Sequence, residues 1–575
     1  MARERSEEDR IDLNVVICGE AGQGIKTVES LLASLLRVSG LYVFSTKEYM
    51  SRIRGGSNST DLRLSPRPVE CPVERVDLLV ALGPQALEHM ADRSGEGTAV
   101  IASPDSLENG EEDFPGEPFP VPIGEMAEDA GRKVYSNTVA AGVVAGAFGL
   151  DLQRCLEEVK SSFEDMGEED RKGNLTAFES GFRAGEDLNL DLSVPSPEES
   201  SGEQLLLNGA QAVGLGAIAG GIRFMCSYPM SPSTGVLAFL AGQAHRFGLV
   251  VEQAEDEISA VNMGLGAWYT GARSMITTSG GGLALMSEGI SLAGMVETPL
   301  VLHVAQRPGP ATGLPTRTGQ EDLDLVLGAG HGEFPVAVLA PGSLKQAFGL
   351  TARAFRLAEK HQVPVFVITD QSIMDSYYPV SELDLDGVLT ERFLVDAVEG
   401  YRRYSLDGGP PSPMAVPGSG PGLVCLDSDE HDESGHITED LDLRVRMVDK
   451  RLGKFGGLAE DALEPELAGD GSIMVVCWGS SRNACMEAVE RLERDDVSVM
   501  HLSQLYPLHD SVAELLEGAD SVITVEGNAT GQMGRLLGDL AGITPDHEVL
   551  RYDGLPFRAD TLAEKLLKAI EGGRR

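Results

Sequence analysis

The hydrophobic pattern opens on a short continuous apolar run, Leu13 to Cys18, of the kind shown by a strand buried on both faces. A glycine-rich turn follows at Gly19-Glu20-Ala21-Gly22-Gln23-Gly24, and a helical pattern runs from Lys26 to Ser39. Strand, glycine turn and helix in that order begin an α/β unit. Leu41–Ser45 and Asp77–Leu82 are further strand runs, and the pattern fades near residue 183. Residues 184–203 are polar, contain Pro and Ser, and read as a linker. From Leu205 to about residue 382, apolar runs at Met275–Thr278, Leu300–Val304, Ala337–Ala340 and Val365–Thr369 alternate with helical stretches. That alternation predicts a parallel sheet. Residues 383–470 are less regular, and GGPPSPMAVPGSGPG within them shows neither period. Strand runs return at Ser472–Trp478, Ser498–His501 and Ser521–Glu526. The expected architecture is α/β throughout. Three α/β domains span 11–183, 204–382 and 471–572, with a linker at 184–203 and a connecting segment at 383–470.

A length of 575 residues suits several domains, each with its own core. No apolar run reaches transmembrane length. The net charge is −44. Such a surface repels nucleic acid and anionic membranes, so neither is expected as a partner. The acids are dispersed, and either a solvated acidic surface or adaptation to a salty cytoplasm accounts for them. The seven cysteines include no C-x-x-C pair. This argues against a disulfide framework, a zinc site or an iron–sulfur cluster in the chain; no metal site is expected, and a reduced, cytoplasmic setting fits. The opening MARERSEEDR is too charged for a signal peptide.

Several segments carry candidate chemistry. In the first glycine turn, Gly22 and Gly24 would let backbone amides approach a phosphate at a helix start, although a tight turn without a ligand has the same sequence. Arg52, Arg54 and Gly55 could hold a phosphate bidentately, or form an exposed basic loop. Tyr228-Pro229-Met230-Ser231-Pro232-Ser233 follows the strand-like Arg223–Cys226, and its prolines would fix the direction of the Ser231 hydroxyl. A turn capping the next helix is the plainer reading. In Glu252-Gln253-Ala254-Glu255-Asp256-Glu257, acids at a helix start are expected from the macrodipole, which suffices for Glu255 and Asp256. Glu257 differs. Ala260, Val261 and Gly264 place it on an apolar face, and a buried carboxylate needs a partner or a function. Gly280 and Gly281 follow a strand and offer close backbone approach. Arg307, also just past a strand, is a natural carboxylate clamp, with Thr312 and Thr316 as neutral donors, or else a plain surface arginine.

Taken together, GEAGQG (19–24), SRIRGGSNS (51–59), YPMSPS (228–233), VEQAEDEISAVNMGLGA (251–267), TSGGGLALMSEGISLAGMVETPLV (278–301), QRPGPATGLPTRTGQEDL (306–323), HGEFP (331–335), EHDESGHITED (430–440) and VEGNATGQ (525–532) resemble the 2-oxoacid:ferredoxin oxidoreductases. The likeness is to the fused form in which a gamma domain precedes the alpha chain. It implies a gamma-type domain, a pyrimidine-binding domain for thiamine diphosphate and a transketolase C-terminal-like domain. It implies that Glu257 touches the aminopyrimidine and favours the imino tautomer that removes the thiazolium proton. It implies that Arg307 binds the substrate carboxylate, that Tyr228, Pro229, Gly280 and Gly281 lie against the cofactor, and that the gamma glycines and arginines serve coenzyme A. Ser231 stands where the family has Thr in a Y-P-I-T-P motif, and Met230 departs from it as well, which leaves substrate choice open. The pyrophosphate–magnesium motif and cluster cysteines are missing here. The resemblance puts Mg2+ and [4Fe-4S] on a separate beta subunit, with ferredoxin as acceptor and a dimer of gamma-alpha/beta heterodimers. The fused form points to 2-oxoglutarate, with pyruvate or a branched-chain oxoacid as the alternative. The rivals are a non-oxidative thiamine-dependent transferase or decarboxylase, and a coenzyme-A-binding assembly subunit with an inactive thiamine half.

Overall fold

The computed structural model describes residues 12–20, 25–50, 57–108, 114–190, 192, 204–388 and 390–572. Their chain forms two compact units. One comprises Met1–Leu207, Asp375–Glu382 and Arg558–Thr561; the other comprises Asn208–Met374, Leu383–Phe557 and Leu562–Arg575. Among the described residues no helix is long and apolar enough to cross a membrane.

The first unit is built on an eight-stranded sheet. Seven of its strands lie in the order Glu117–Pro120, Ala99–Ala102, Leu78–Ala81, Leu13–Glu20, Ser57–Ser65, Tyr42–Glu48 and Tyr377–Val380. Leu13–Glu20 runs parallel to Leu78–Ala81 and antiparallel to Ser57–Ser65. Ser57–Ser65 reads SNSTDLRLS, a polar strand with no strand signal, yet it is almost wholly buried. Its charges are matched inside the fold: Arg63 Nε meets Asp12 Oδ1 at 2.7 Å, and Asp61 meets Arg93 at 2.5 Å. Helices Ser136–Ala147 and Glu168–Asp187 cross backbone to backbone. A Cβ at Gly142 or Gly146 would strike a carbonyl oxygen of Phe178 or Phe182, so glycine is required there. Two short returns also belong to this unit. Tyr377 pairs with Ser45, and Arg558 forms an ion pair with Glu48 at 3.0 Å. Both lie inside spans that the hydrophobic pattern gives to the second and third domains; pairing partners distant in sequence decide their place.

The second unit carries a seven-stranded sheet in the order Gln504–Tyr506, Ala337–Leu339, Pro364–Asp370, Leu300–Gln306, Ser274–Thr278, Phe224–Ser227 and Val250–Gln253. All pairs are parallel except Gln504–Tyr506 on Ala337–Leu339. A five-stranded sheet follows the order Glu466–Ala468, Val497–Leu502, Ile473–Trp478, Ser521–Glu526 and His547–Leu550. The two sheets share one apolar core, in which Ile276, Leu302, Val304 and Phe366 meet Val476, Trp478 and Met500. The segment read as irregular holds a 20-residue helix, Leu441–Glu460. Asp440 caps it, its carboxylate accepting from the amides of Asp442 and Leu443, both at 3.0 Å.

Candidate active site at the glycine turn

The site is assembled at the carboxyl ends of neighbouring parallel strands of the seven-stranded sheet, where open α/β sheets bind ligands. Ser274–Thr278 delivers the turn Ser279-Gly280-Gly281-Gly282, which begins the helix Gly280–Leu285. Phe224–Ser227 delivers the loop of Tyr228 to Ser233, and the Ser279 hydroxyl points at Met230 Sδ, 2.7 Å away. Leu300–Gln306 delivers Arg307. The Arg307 guanidinium Nη1 donates to the backbone carbonyl of Ser231 at 2.8 Å, joining the two loops. The Ser231 hydroxyl is not part of that bond, and Ser231 and Tyr228 are both exposed.

Glu257 is the first residue of the helix Glu257–Tyr269, and Asp256 caps it by accepting from Ser259 N at 2.7 Å. Capping therefore uses Asp256 and leaves Glu257 free of that duty. Glu257 is 3 % exposed, and its Oε1 is buried without a hydrogen-bond partner. That oxygen faces the glycine turn, for a Cβ built on Gly282 would lie 2.8 Å from it. A buried carboxylate oxygen without a donor is costly, on the order of 1–3 kcal/mol, unless a ligand supplies the donor. The glycine cradle and the orphaned oxygen together fit a polar ring lying against the turn.

Gly280 is buried and Gly281 is exposed, with Ala311 O the nearest atom to a Cβ there, at 4.0 Å. Thr312 is exposed and Thr316 half-buried, on the excursion between Arg307 and Gln320. Gly22, Gly24, Arg52, Arg54 and Gly55 lie outside the described residues.

Three features of the site fall within the 306–323 and 525–532 motifs, but their residues are not singled out by the local pattern. Asp322 lies against Gly280, where a Cβ would overlap its carboxyl group, and its Oδ2 is buried without a partner. Burial above all, with Glu321 beside it, pushes its carboxyl up to about 6, against the opposing pull of Arg307. The second feature is how that segment is held. Gln320 N donates to Gly527 O at 2.7 Å, Gly527 N donates to Gln320 Oε1 at 2.7 Å, and Gln320 Nε2 donates to Trp478 O at 2.8 Å. The third is Glu526, fully buried, which accepts from the amides of Met533 and Gly534 at 2.8 and 2.9 Å and from Asn528 Nδ2 at 2.9 Å. The 525–532 motif thus docks the five-stranded sheet onto the segment that carries Asp322.

Residues 14–184 match the family described as pyruvate ferredoxin/flavodoxin oxidoreductase. Residues 215–450, which hold the site, match the family described as pyruvate flavodoxin/ferredoxin oxidoreductase, thiamine diphosphate-binding. The chain is 30% identical to a 2-oxoacid:ferredoxin oxidoreductase subunit alpha from a Sulfolobus species, over 98% of each chain. It is 28% identical to the 2-oxoglutarate oxidoreductase subunit KorA of Mycobacterium tuberculosis, over 97% of this chain and 92% of that one. A solved 2-oxoglutarate:ferredoxin oxidoreductase from Magnetococcus marinus, with 2-oxoglutarate, coenzyme A and succinyl-CoA bound, superposes with a TM-score of 0.90. The identity is 30%, covering 97% of this chain and 100% of that one. Fold and site define the class: an α/β oxidoreductase subunit with a thiamine-diphosphate-binding domain. The chain belongs to the 2-oxoacid:ferredoxin oxidoreductase family, among its alpha subunits.

Proposed function

We propose that this chain, together with a beta subunit, oxidatively decarboxylates 2-oxoglutarate onto coenzyme A in the cytoplasm, giving succinyl-CoA and carbon dioxide and reducing ferredoxin. The buried, partnerless Glu257 Oε1 over the glycine turn carries the reading. When bound, thiamine diphosphate supplies a carbanion nucleophile for the 2-oxo carbon. Glu257 holds the aminopyrimidine by a charge-assisted hydrogen bond and controls its protonation. Gly280 and Gly281, with Tyr228 and Pro229, give it close approach. Arg307 takes the substrate carboxylate in its guanidinium fork, and its bond to Ser231 O fixes the direction of that fork. Ser231, Thr312 and Thr316 face the rest of the substrate as neutral donors. Gly22, Gly24, Arg52, Arg54 and Gly55 serve the phosphates of coenzyme A.

The preference for 2-oxoglutarate rests on the likeness to KorA and to the Magnetococcus marinus enzyme over nearly the full length of the chain. Pyruvate or a branched-chain oxoacid is the alternative. The beta subunit would bring Mg2+ and [4Fe-4S], with two gamma-alpha/beta pairs in the assembly. The elements of the site expose Tyr228, Ile258, Leu285 and Leu314, apolar side chains that a partner would cover. The test is Glu257→Gln in the assembled heteromer, assayed against a panel of 2-oxoacids with coenzyme A. Turnover should fall roughly 10²–10⁴-fold, the scale for an acid–base group, while assembly is kept. Wild-type turnover would overturn the reading.

A further inference from the structure

Asp322 is held more firmly than a solvent-facing acid needs. Its amide donates to Gln306 Oε1 at 3.0 Å, and Gln306 Nε2 donates to Thr369 O at 3.2 Å on the adjacent strand. Behind it, Leu323 and Val326 are fully buried. On either side the five-stranded sheet clamps the segment: Gln320 exchanges hydrogen bonds with Gly527, and Gln532 Nε2 donates to Glu321 O at 2.8 Å while its Oε1 accepts from Asp324 N at 3.1 Å. All this restraint places a carboxyl group on the backbone of Gly280, two residues from the Gly282 position faced by Glu257. The carboxyl forms no ion pair with Arg307, and its Oδ2 has no donor. Fully buried carboxylates away from the turn are met by donors or cations: Glu526 by two amides and Asn528, and Glu359 by Arg273 and Arg392; Glu257, at the same turn, shares with Asp322 an oxygen that has no donor. An enclosed carboxyl oxygen that takes no hydrogen bond is relieved by a ligand donor or by carrying a proton, and beside the anion that Arg307 holds the second serves Asp322.

We infer that Asp322 is a substrate-binding acid of this site: protonated, it donates a hydrogen bond to an oxygen of the 2-oxoacid that Arg307 holds, so substrate and one proton bind together. The inference rests on Arg307 being the carboxylate clamp. Ionised, Asp322 would repel the incoming carboxylate and compete for the same guanidinium. Burial raises its pKa to about 6, which puts the loss of that proton close to neutrality. The charged groups facing it are Glu321 on its own segment and Arg307 at the end of Leu300–Gln306. Glu321 is engaged by Gly309 N at 2.8 Å. The helix Gly280–Leu285 presents backbone, with Glu257 the next carboxyl along it at Gly282. Asp324, one residue into the helix Leu323–Leu327, is taken by Arg535.

The experiment measures kcat and KM for 2-oxoglutarate between pH 5 and 8 in the assembled heteromer, for wild type, Asp322→Asn, Asp322→Glu and Arg307→Ala. In wild type, KM should rise with pH above the free-enzyme pKa, approaching about tenfold per unit for one obligatory proton. Asp322→Asn keeps shape and a donor but cannot ionise, so its KM should stay near the low-pH wild-type value across the range. Asp322→Glu should restore a sloping profile. A KM for Asp322→Asn that climbs as in wild type overturns the inference, even if kcat falls. Arg307→Ala separates the two readings. If its KM for 2-oxoglutarate equals that of wild type, the clamp assignment fails and the substrate role of Asp322 falls with it. If KM rises in Arg307→Ala while Asp322→Asn keeps the wild-type profile, Asp322 alone is wrong.

Discussion

Two buried glutamates in the second unit make opposite use of burial. Glu297 is fully buried at a left-handed backbone position, φ 49°, and is surrounded by cations. Lys450 meets its Oε1 at 2.6 Å, Lys454 meets its Oε2 at 2.5 Å, and Arg403 donates to its carbonyl oxygen at 2.6 Å. Those lysines hold its carboxyl well below the usual range, although desolvation works the other way. Burial in turn brings Lys454 down to about 7. Glu257 is almost as buried but has an oxygen with nothing to bind it. The first is a closed structural knot that ties the helix Leu441–Glu460 to the loop before Leu300. The second is open, and an open buried acid points to a ligand. Burial alone does not separate structural from functional carboxylates; the cations that face Glu297 and are missing at Glu257 Oε1 do.

The widest separation should come from exchanging each acid for its amide. Glu257→Gln should lose most of the turnover of the assembled enzyme yet melt close to the wild-type temperature, because the exchanged oxygen has no donor to lose. Glu297→Gln should do the reverse. Two buried ammonium groups lose their counter-charge, at a cost of about 3–5 kcal/mol, while kcat per folded molecule stays close to normal. Denaturant melts paired with active-site-normalised rates check both, and similar losses of turnover in the two variants would erase the distinction.

Next in size is the clamp. Arg307→Ala should raise KM for every 2-oxoacid by the equivalent of about 2–5 kcal/mol if the pair is desolvated, and Arg307→Lys, which keeps charge but loses the fork, by less. Saturation curves that match wild type would place the substrate carboxylate elsewhere.

The smallest effects are in the pH dependence of stability, where the acids should differ in sign. The folded-state pKa of Glu297 lies below its ordinary 4.5, so its contribution is present above about that pH and is lost as pH falls. That of Asp322 lies above its ordinary 3.8, at about 6, so its contribution is full below pH 3.8 and is lost as pH rises through 6. Asp322→Asn should therefore be more stable than wild type at pH 7.5, by on the order of 1–3 kcal/mol, with no such gain at pH 3.5. Chemical melts at the two pH values test this, and a gain at both would mean that the amide helps by packing alone.

The apolar strands follow from local pattern alone. Leu13–Glu20, Ser274–Thr278, Leu300–Gln306, Pro364–Asp370 and Ile473–Trp478 all stand where apolar runs predict them, because a strand covered on both faces is mostly apolar unless its polar groups find partners inside the fold. The sequence also singled out Glu257 and Arg307, a carboxyl on an apolar helix face and a cation just past a strand, and it carried the family through its motif order. It missed what depends on partners far along the chain. The polar strand Ser57–Ser65 is buried because Asp12 and Arg93 neutralise it. The helix Leu441–Glu460 is stabilised by the carboxylates of Glu297 and Glu430. Asp322 reads as one more acid among many in a chain of charge −44. Only the fold lays it on Gly280 and withholds every donor from its Oδ2, because the desolvation that lifts its pKa comes from strands and loops that no local pattern brings together.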